Sequence, residues 1–160
     1  MALSKVLSGL NRDSVLDSAR TTVGAVAALL LARLLKMPET YWAPISTVVV
    51  IQSTIPPRTL GWQRFLGTAL GALLAVGLGT FLPAGAWVYA AGIFLCGILA
   101  WLLHVGGAYR FAAITLSIVL LIPHTRDLSI VAWHRFLEVS LGIAVALAIT
   151  TVWPLTPKKL

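Results

Sequence analysis

A series of six apolar stretches, separated by short connections rich in proline and charge, constrains this chain more than any other feature. About 20 apolar residues span a bilayer as a helix, so six spans would use roughly 120 of the 160 residues. Hydrophobic residues make up 59% of the chain and charged residues 11%, which lies outside the usual balance of a soluble domain. The sequence therefore predicts an all-α polytopic membrane protein without room for a sizeable soluble domain.

The span boundaries follow from prolines, charges and hydropathy. We predict spans at residues 19–36, 40–56, 64–82, 86–104, 108–123 and 133–153. They form one transmembrane domain, 19–154, preceded by an interfacial helix at 1–18 and followed by a cytoplasmic tail at 155–160. The first span also resembles a signal-peptide core, because Arg20 and Arg33 leave a short uncharged run between them. No small-residue cleavage site follows it, which favours a retained span.

The basic residues predict the orientation. With both termini in the cytoplasm, eight of the twelve Lys and Arg residues lie inside and four outside, as the positive-inside rule expects. This asymmetry accounts for the net charge of +7, so nucleic acid is not an expected partner. The single cysteine, Cys96, lies within an apolar run and offers neither a disulfide nor a cysteine metal site.

The sequence contains an internal repeat. A shift of 71 residues gives seven identities in the fourteen positions 62–75, namely Trp62, Arg64, Phe65, Leu66, Leu70, Gly71 and Ala75 with Trp133, Arg135, Phe136, Leu137, Leu141, Gly142 and Ala146. If the repeated unit contains three spans, an odd number, its second copy must enter the membrane from the opposite side. We therefore predict a 3+3 inverted-topology repeat, about 19–82 and 86–153, an arrangement common in transporters. The alternative is that aromatic and basic residues recur only as interfacial anchors.

A stripe of small residues follows the first copy of this motif. Gly67, Gly71, Ala75 and Gly79 lie on one helix face, and Gly142 repeats Gly71. Small residues let helix backbones approach closely where lipid offers no hydrophobic drive. The stripe predicts helix packing, either within the chain or between two copies.

Three segments carry a family resemblance: "YWAPISTVVVIQ", "RFLGTALGALLAV" and "RFLEVSLGIAVALAITTVWP". They resemble the membrane domain of the fusaric acid resistance family, which includes bacterial aromatic acid exporters and is similar to plant aluminium-activated malate transporters. The resemblance covers about residues 19–154. Many family members carry a large cytoplasmic domain or a second membrane domain; this sequence has neither, which predicts a homo-oligomer.

The resemblance implies export of small, often aromatic, carboxylic acids across the bacterial inner membrane, with a periplasmic adaptor as a further partner. The sequence has no nucleotide-binding motif, so the energy source would be the proton gradient, and no cofactor is expected. An anion channel and a non-transporting membrane module that assembles with a partner subunit remain as alternatives.

A carboxylate in a low-dielectric path needs a fixed positive charge or aligned donors. The candidate pathway residues are Arg33, Gln52, Arg64, Arg110, Arg135 and Glu138. We expect Arg33 and Glu138 to approach each other or share a polar cavity, unless both are separate interfacial residues. Tyr41 and Trp42 are candidates for stacking on aromatic substrates, or else part of an aromatic belt.

Catalytic chemistry is not indicated. His104, His124 and His134 lack the spacing of metal ligands on one helix face, and no Ser-His-Asp or paired-carboxylate arrangement occurs. His104 and His134 are candidates for proton transfer in a coupled cycle. We predict no enzyme and no metal site.

Overall fold

The computed structural model describes residues 12–83, 85–123 and 126–154. These residues form six α-helices and one 3₁₀ turn, Gly106–Ala108, without a strand in the described ranges. The helices are α1 (Arg12–Leu34), α2 (Trp42–Ile51), α3 (Pro57–Phe81), α4 (Ala86–Leu102), α5 (Tyr109–Leu121) and α6 (Leu128–Val152). The predicted all-α fold with six helices is confirmed.

Three helices, α1, α3 and α6, begin earlier than the sequence predicted. Helix α3 begins at Pro57 rather than at residue 64, and α6 begins at Leu128 rather than at residue 133. Proline suits the first turn of a helix, where its missing N–H would have no partner. The prediction began these spans at Arg64 and at Trp133, whereas Arg64 and Arg135 both lie two turns inside their helices.

The boundaries of α2 and α1 differ from the predicted spans by similar amounts. Helix α2 ends at Ile51, five residues before the predicted end at 56. Helix α1 runs without a break from Arg12, so residues 12–18 belong to it rather than to a separate interfacial helix. Residues 1–11 and the predicted tail at 155–160 lie outside the described residues.

The surface suits a bilayer. Helices α1, α3 and α6 are long and apolar enough to cross a membrane, and α2, α4 and the segment Gly106–Leu121 are shorter apolar helices. A helix of 25 residues is about 37 Å long and exceeds the roughly 30 Å hydrocarbon core. Large apolar side chains such as Leu73, Phe94 and Trp101 point outward. In water such a surface would aggregate, whereas lipid solvates it.

Helices α3 and α6 pack against each other in antiparallel directions. Gly61, near the start of α3, faces Ile143 in the second half of α6, and the Phe65 ring lies 5.0 Å from that of Phe136. Their starts and their ends are each 71 residues apart, the shift of the sequence repeat. Phe65 and Phe136 are repeat-equivalent, so their contact marks the pseudo-two-fold axis.

The remaining contacts obey the same relation. Helix α3 packs most extensively against α5 of the second half, and α6 packs about equally against α2 and α3 of the first half. Helix α1 contacts α2 and α6, and correspondingly α4 contacts α5 and α3. Exchanging the first three helices for the last three therefore reproduces the contact pattern, which supports the inverted repeat over two unrelated anchoring motifs.

The small-residue stripe lies inside the chain. Gly67 and Gly71 face the backbone of α5 and its preceding turn so closely that a Cβ atom on either would overlap a carbonyl oxygen, of Ala108 and Ala112 respectively. Gly142 meets the carbonyl oxygen of Ala43 in α2 in the same way. The two equivalent glycines thus hold equivalent helix pairs together.

Replacing Gly71 with alanine should destabilise the fold. The added methyl group overlaps the Ala112 backbone, and overpacking of this kind typically costs about 1–3 kcal/mol. The matched control is Gly77→Ala on the same helix, where no atom lies within 4 Å and alanine gains about 1 kcal/mol of helix propensity. Thermal unfolding of the purified protein in detergent should show a lower midpoint for Gly71→Ala only. Equal midpoints for the two variants would contradict the backbone contact.

Candidate functional site

Two buried arginines lie near the crossing of α3 and α6. Arg64 is 7% exposed and Arg135 is 2% exposed. Each lies seven residues after the start of its helix, which is about 10 Å along the axis. They are repeat-equivalent, and each directly precedes one of the two phenylalanines, Phe65 and Phe136, whose rings lie 5.0 Å apart where the helices cross. The repeat therefore concentrates positive charge in the interior.

Arg64 has one polar partner and one aromatic partner. Its Nη2 donates to Ser46 Oγ at 3.1 Å, and its Cζ lies 5.0 Å from the centre of the Phe111 ring. The Ser46 hydroxyl in turn donates to the carbonyl of Trp42 at 2.8 Å. The buried Nε of Arg64 has no hydrogen-bond partner among the described residues. Arg64 thus retains donor capacity that the described side chains do not fill.

Arg135 repeats this arrangement with a different ring. Its Cζ lies 3.5 Å from the ring centre of Trp42, and its buried Nε and Nη1 have no hydrogen-bond partner in the described part of the chain. A desolvated cation–π contact contributes about 2 kcal/mol, which compensates only part of the cost of burying a guanidinium group. Each arginine therefore stacks on an aromatic ring of the helix that packs against its own. Arg64 of α3 lies over Phe111 of α5, and Arg135 of α6 lies over Trp42 of α2.

The buried cluster comprises Arg64, Arg135, Glu138 and their neighbours Glu39, Trp42, Ser46 and Phe111. Glu138 is its buried carboxylate. It is 1% exposed and lies one turn after Arg135 on α6. Its Oε1 accepts the backbone N–H of Glu39 at 2.8 Å, while its buried Oε2 has no partner among the described residues. It forms no ion pair with Arg135 within 4.0 Å; the described residues form one such pair, Arg20 with Asp17 at 3.0 Å.

The connection between α1 and α2 closes one end of the cluster. Glu39 Oε2 accepts the indole N–H of Trp42 at 2.6 Å, which orients the ring under Arg135. Tyr41, which precedes α2 and is exposed, lies 5.1 Å from the Trp42 ring. Partial burial and then the charge of Glu39 raise the pKa of the Tyr41 phenol. The phenol therefore stays protonated at neutral pH.

Three predicted pathway residues lie outside the cluster. Arg33 is exposed in the last turn of α1 and forms no ion pair with Glu138 within 4.0 Å among the described residues. The expectation that the two approach each other or share a polar cavity stays a prediction. Gln52 is exposed, and its Nε2 donates to Thr21 Oγ1 at 2.6 Å and Asp17 Oδ2 at 3.1 Å, so it ties α2 to α1. Arg110 is also exposed, with its Cζ 4.7 Å from the ring centre of Phe111.

Three residues of the cluster were not predicted: Glu39, Ser46 and Phe111. Glu39 and Phe111 could have been found by aligning the two halves of the sequence with a second shift. A shift of 69 residues, rather than 71, places Trp42 on Phe111 and Glu39 on Ala108. The contacts follow this shift, since Trp42 and Phe111 cover equivalent arginines and Ala43 and Ala112 meet equivalent glycines. The connections in the two halves differ in length, which hid the correspondence.

The cluster can bind an anion by electrostatics and hydrogen bonding. It presents two guanidinium groups with unfilled N–H donors, one hydroxyl and two aromatic rings in a low-dielectric interior, where such interactions are strong. No group of three or more His, Cys, Asp and Glu side chains that could hold a metal ion occurs in ranges 12–83, 85–123 and 126–154.

Comparisons with known proteins agree with the resemblance seen in the sequence. The family model described as fusaric acid resistance protein-like matches residues 26–149, which include the whole cluster. The inner membrane protein YeeA of Escherichia coli (strain K12) is 32% identical over 152 residues, covering 88% of this chain and 41% of YeeA. The chain thus spans less than half the length of this curated relative. No solved structure matches the chain.

Replacing Arg64 with methionine should leave the stability equal or higher. An apolar residue of similar volume removes the desolvation cost of the buried guanidinium, and such replacements are often neutral or stabilising. The contrasting variant is Arg20→Met, which loses the ion pair with Asp17 and the bond to the Trp153 carbonyl and should destabilise by about 1–3 kcal/mol. Thermal midpoints in detergent distinguish the two; a large loss for Arg64→Met would make Arg64 a structural residue.

Proposed function

Because the chain belongs to the fusaric acid resistance protein-like family of membrane proteins, we propose that it exports small organic anions across the bacterial inner membrane. The relative YeeA is described as an inner membrane protein. The proposed substrates are aromatic carboxylic acids, and the proposed energy source is the proton gradient. The chain acts as a carrier and not as an enzyme.

The observation that carries the proposal is the imbalance of buried charge. Arg64 and Arg135 are sealed in the interior together with one buried carboxylate, Glu138. An unpaired buried ion costs several kcal/mol, and a purely structural helix pair would be more stable with apolar residues at these positions. A bound anion supplies the missing negative charge and accepts bonds from the unfilled donors of both arginines.

The aromatic rings of the cluster support the substrate class. Trp42 and Phe111 lie beside the two guanidinium groups, at the depth where the acid group of a substrate would bind. A planar aromatic acid can direct its carboxylate to an arginine and pack its ring against one of these side chains. An aliphatic acid of the same charge would gain the first interaction and little of the second.

The repeat supports alternating access. Neither arginine is open to solvent, so an anion reaches the cluster only when the packing around it opens. In inverted repeats this opening occurs first on one side and then on the other, as one half moves against its counterpart. The proposal includes a multi-pass topology with both termini cytoplasmic, assembly as a homo-oligomer and a periplasmic adaptor as a further subunit.

A second candidate function is favoured by the same sealed interior. A membrane module that only assembles with a partner subunit needs close packing and no path for water. The unfilled arginine donors argue against it, because assembly does not require them.

Flux measurements distinguish these functions. Purified protein in sealed liposomes is offered a hydroxybenzoate with and without a proton gradient, and the leak of protein-free liposomes is subtracted. We expect gradient-dependent flux in the wild type and its loss in Arg64→Met. The control is Arg33→Met, which removes an exposed arginine and should transport normally. Gradient-independent flux in the wild type would indicate a channel, and no flux from folded protein would indicate a module.

A further inference from the structure

A groove opens on the outer surface between α3 and α6. Arg58, Trp62 and Phe65 of α3 line one wall, and Ile143 and Leu147 of α6 line the other. Its volume is about 230 Å³, and apart from Arg58 the side chains that line it are apolar. From Arg58 to Phe65 it extends about 10 Å along the helix axis. The groove therefore runs from the end of α3 toward the middle of the membrane.

A missing side chain leaves room for the groove. Gly61 lies between the two helices, and a Cβ atom at this residue would lie 3.0 Å from Ile143 Cγ2 and 3.8 Å from Leu147 Cδ1. Trp62 is 60% exposed, and its ring stacks on that of Phe65 with 5.8 Å between the ring centres. The two rings thus form an apolar wall beside a shallow base. This shape suits a narrow apolar chain that lies along the helices.

Arg58 places a positive charge at the outer end of the groove. It is the second residue of α3, it is exposed, and it forms no ion pair within 4.0 Å among the described residues. Neither α3 nor the connection 52–56 before it contains an acidic residue. The first turn of α3 has no side-chain cap, so the N–H groups of Arg58 and Thr59 lack an acceptor within the helix. The charge and these donors together complement an anionic group.

The repeat-equivalent end of the helix crossing lacks this combination. The 71-residue shift places Ser129 on Arg58 and Ala132 on Gly61. The exposed tryptophan is repeated, since Trp133 is 59% exposed and stacks on the next phenylalanine of its own helix. An aromatic anchor at the membrane interface is therefore common to both ends. The arginine and the missing side chain occur at one end, which makes them more than anchors.

We propose that this groove binds an acyl chain of an anionic phospholipid, whose headgroup phosphate lies at Arg58. A helix of 25 residues exceeds the hydrocarbon core of the bilayer, so the first turn of α3 reaches the headgroup layer while Phe65 lies among the acyl chains. The guanidinium group favours a lipid with net negative charge over a zwitterionic one, because the latter carries its own cation. Lipid binding here requires the membrane location of the chain and is independent of what the chain transports.

The bound lipid would lie against the contact between the two halves. Phe65, which lines the groove, also meets Phe136 with 5.0 Å between the ring centres. The acyl chain therefore packs beside the pseudo-two-fold axis and at one end of it. The lipid is a component of the α3–α6 interface in one leaflet and has no counterpart of the same chemistry in the other.

Fluorescence quenching by phospholipids with brominated acyl chains tests the proposal. Purified protein in detergent is titrated separately with brominated phosphatidylglycerol, which is anionic, and with brominated phosphatidylcholine, which is zwitterionic. Half-maximal quenching should require an about fivefold lower mole fraction of the anionic lipid, the difference expected of one basic residue at an anionic headgroup. Trp62→Phe should lose this component of the quenching. The matched control, Trp133→Phe, should keep it, because the two tryptophans are equally exposed.

Variants at the cation separate the headgroup contact from the acyl-chain contact. Arg58→Gln should equalise the two lipids, whereas Arg58→Lys keeps the charge and should keep most of the preference. The control is Arg33→Gln, which removes an exposed arginine at the end of another helix and should behave as the wild type. Inorganic phosphate at the same concentration should not displace the lipid, since it has no apolar chain to fill the groove.

Three results would overturn the proposal. An unchanged preference in Arg58→Gln would exclude the headgroup contact, and displacement by inorganic phosphate would show an anion site without an acyl chain. Quenching that does not depend on Trp62 would exclude lipid from the groove. In that last case, disulfide cross-linking of Leu147→Cys between two chains would identify a second copy of the protein as the occupant.

Discussion

Direct contact between helix backbones, at Gly71 and at Gly142, determines where the functional groups lie. In a bilayer, helices associate by close packing rather than by hydrophobic burial, so a missing side chain sets which helix approaches and how near. Gly71 meets Ala112, the residue after Phe111, and Gly142 meets Ala43, the residue after Trp42. The same contacts that assemble the helices thus place an aromatic ring beside each buried arginine. The packing motif and the charged site form one arrangement and are duplicated together.

The energetics explain why this arrangement points to an anion. A cation–π contact contributes about 2 kcal/mol and a single hydrogen bond about 1 kcal/mol, whereas burying a guanidinium group costs several kcal/mol. For Arg135 the balance is helped by Glu138 nearby, but for Arg64 the described partners are one hydroxyl and one ring. Arg64 lacks a neighbouring carboxylate because position 67, which corresponds to Glu138 in the repeat, is a glycine, whereas Arg135 has more N–H donors without a partner among the described residues. A site with incomplete internal compensation gains most from a ligand of opposite charge.

The sequence predicted the helices better than the site. Apolar length gave six helices, and the identities around Trp62 and Trp133 gave a repeat that the contacts of α3 and α6 support. The charged residues led to wrong starts for α3 and α6. The predicted spans began at or next to Arg64 and Arg135, but both arginines are buried within their helices. The partner of Glu138 was missed because Glu39 lies 99 residues away and binds through its backbone, which carries no side-chain signal. The correspondence between Trp42 and Phe111, the rings beside the two arginines, appears only with a shift of 69 residues. The 71-residue shift does not show it, because the connections in the two halves differ in length.

The exchange of partners between the halves also bears on biosynthesis. Helix α3 packs most extensively on α5, and α6 packs about equally on α2 and α3, so the most extensive interfaces join one group of three helices to the other. The first three helices enter the membrane with the glycine face of α3 uncovered and with Arg64 lacking the ring of Phe111. In the proposed multi-pass topology they acquire these contacts only after the second group has been inserted in the opposite orientation. Insertion of the second group of helices and assembly of the charged centre are therefore coupled in the biosynthesis of this domain.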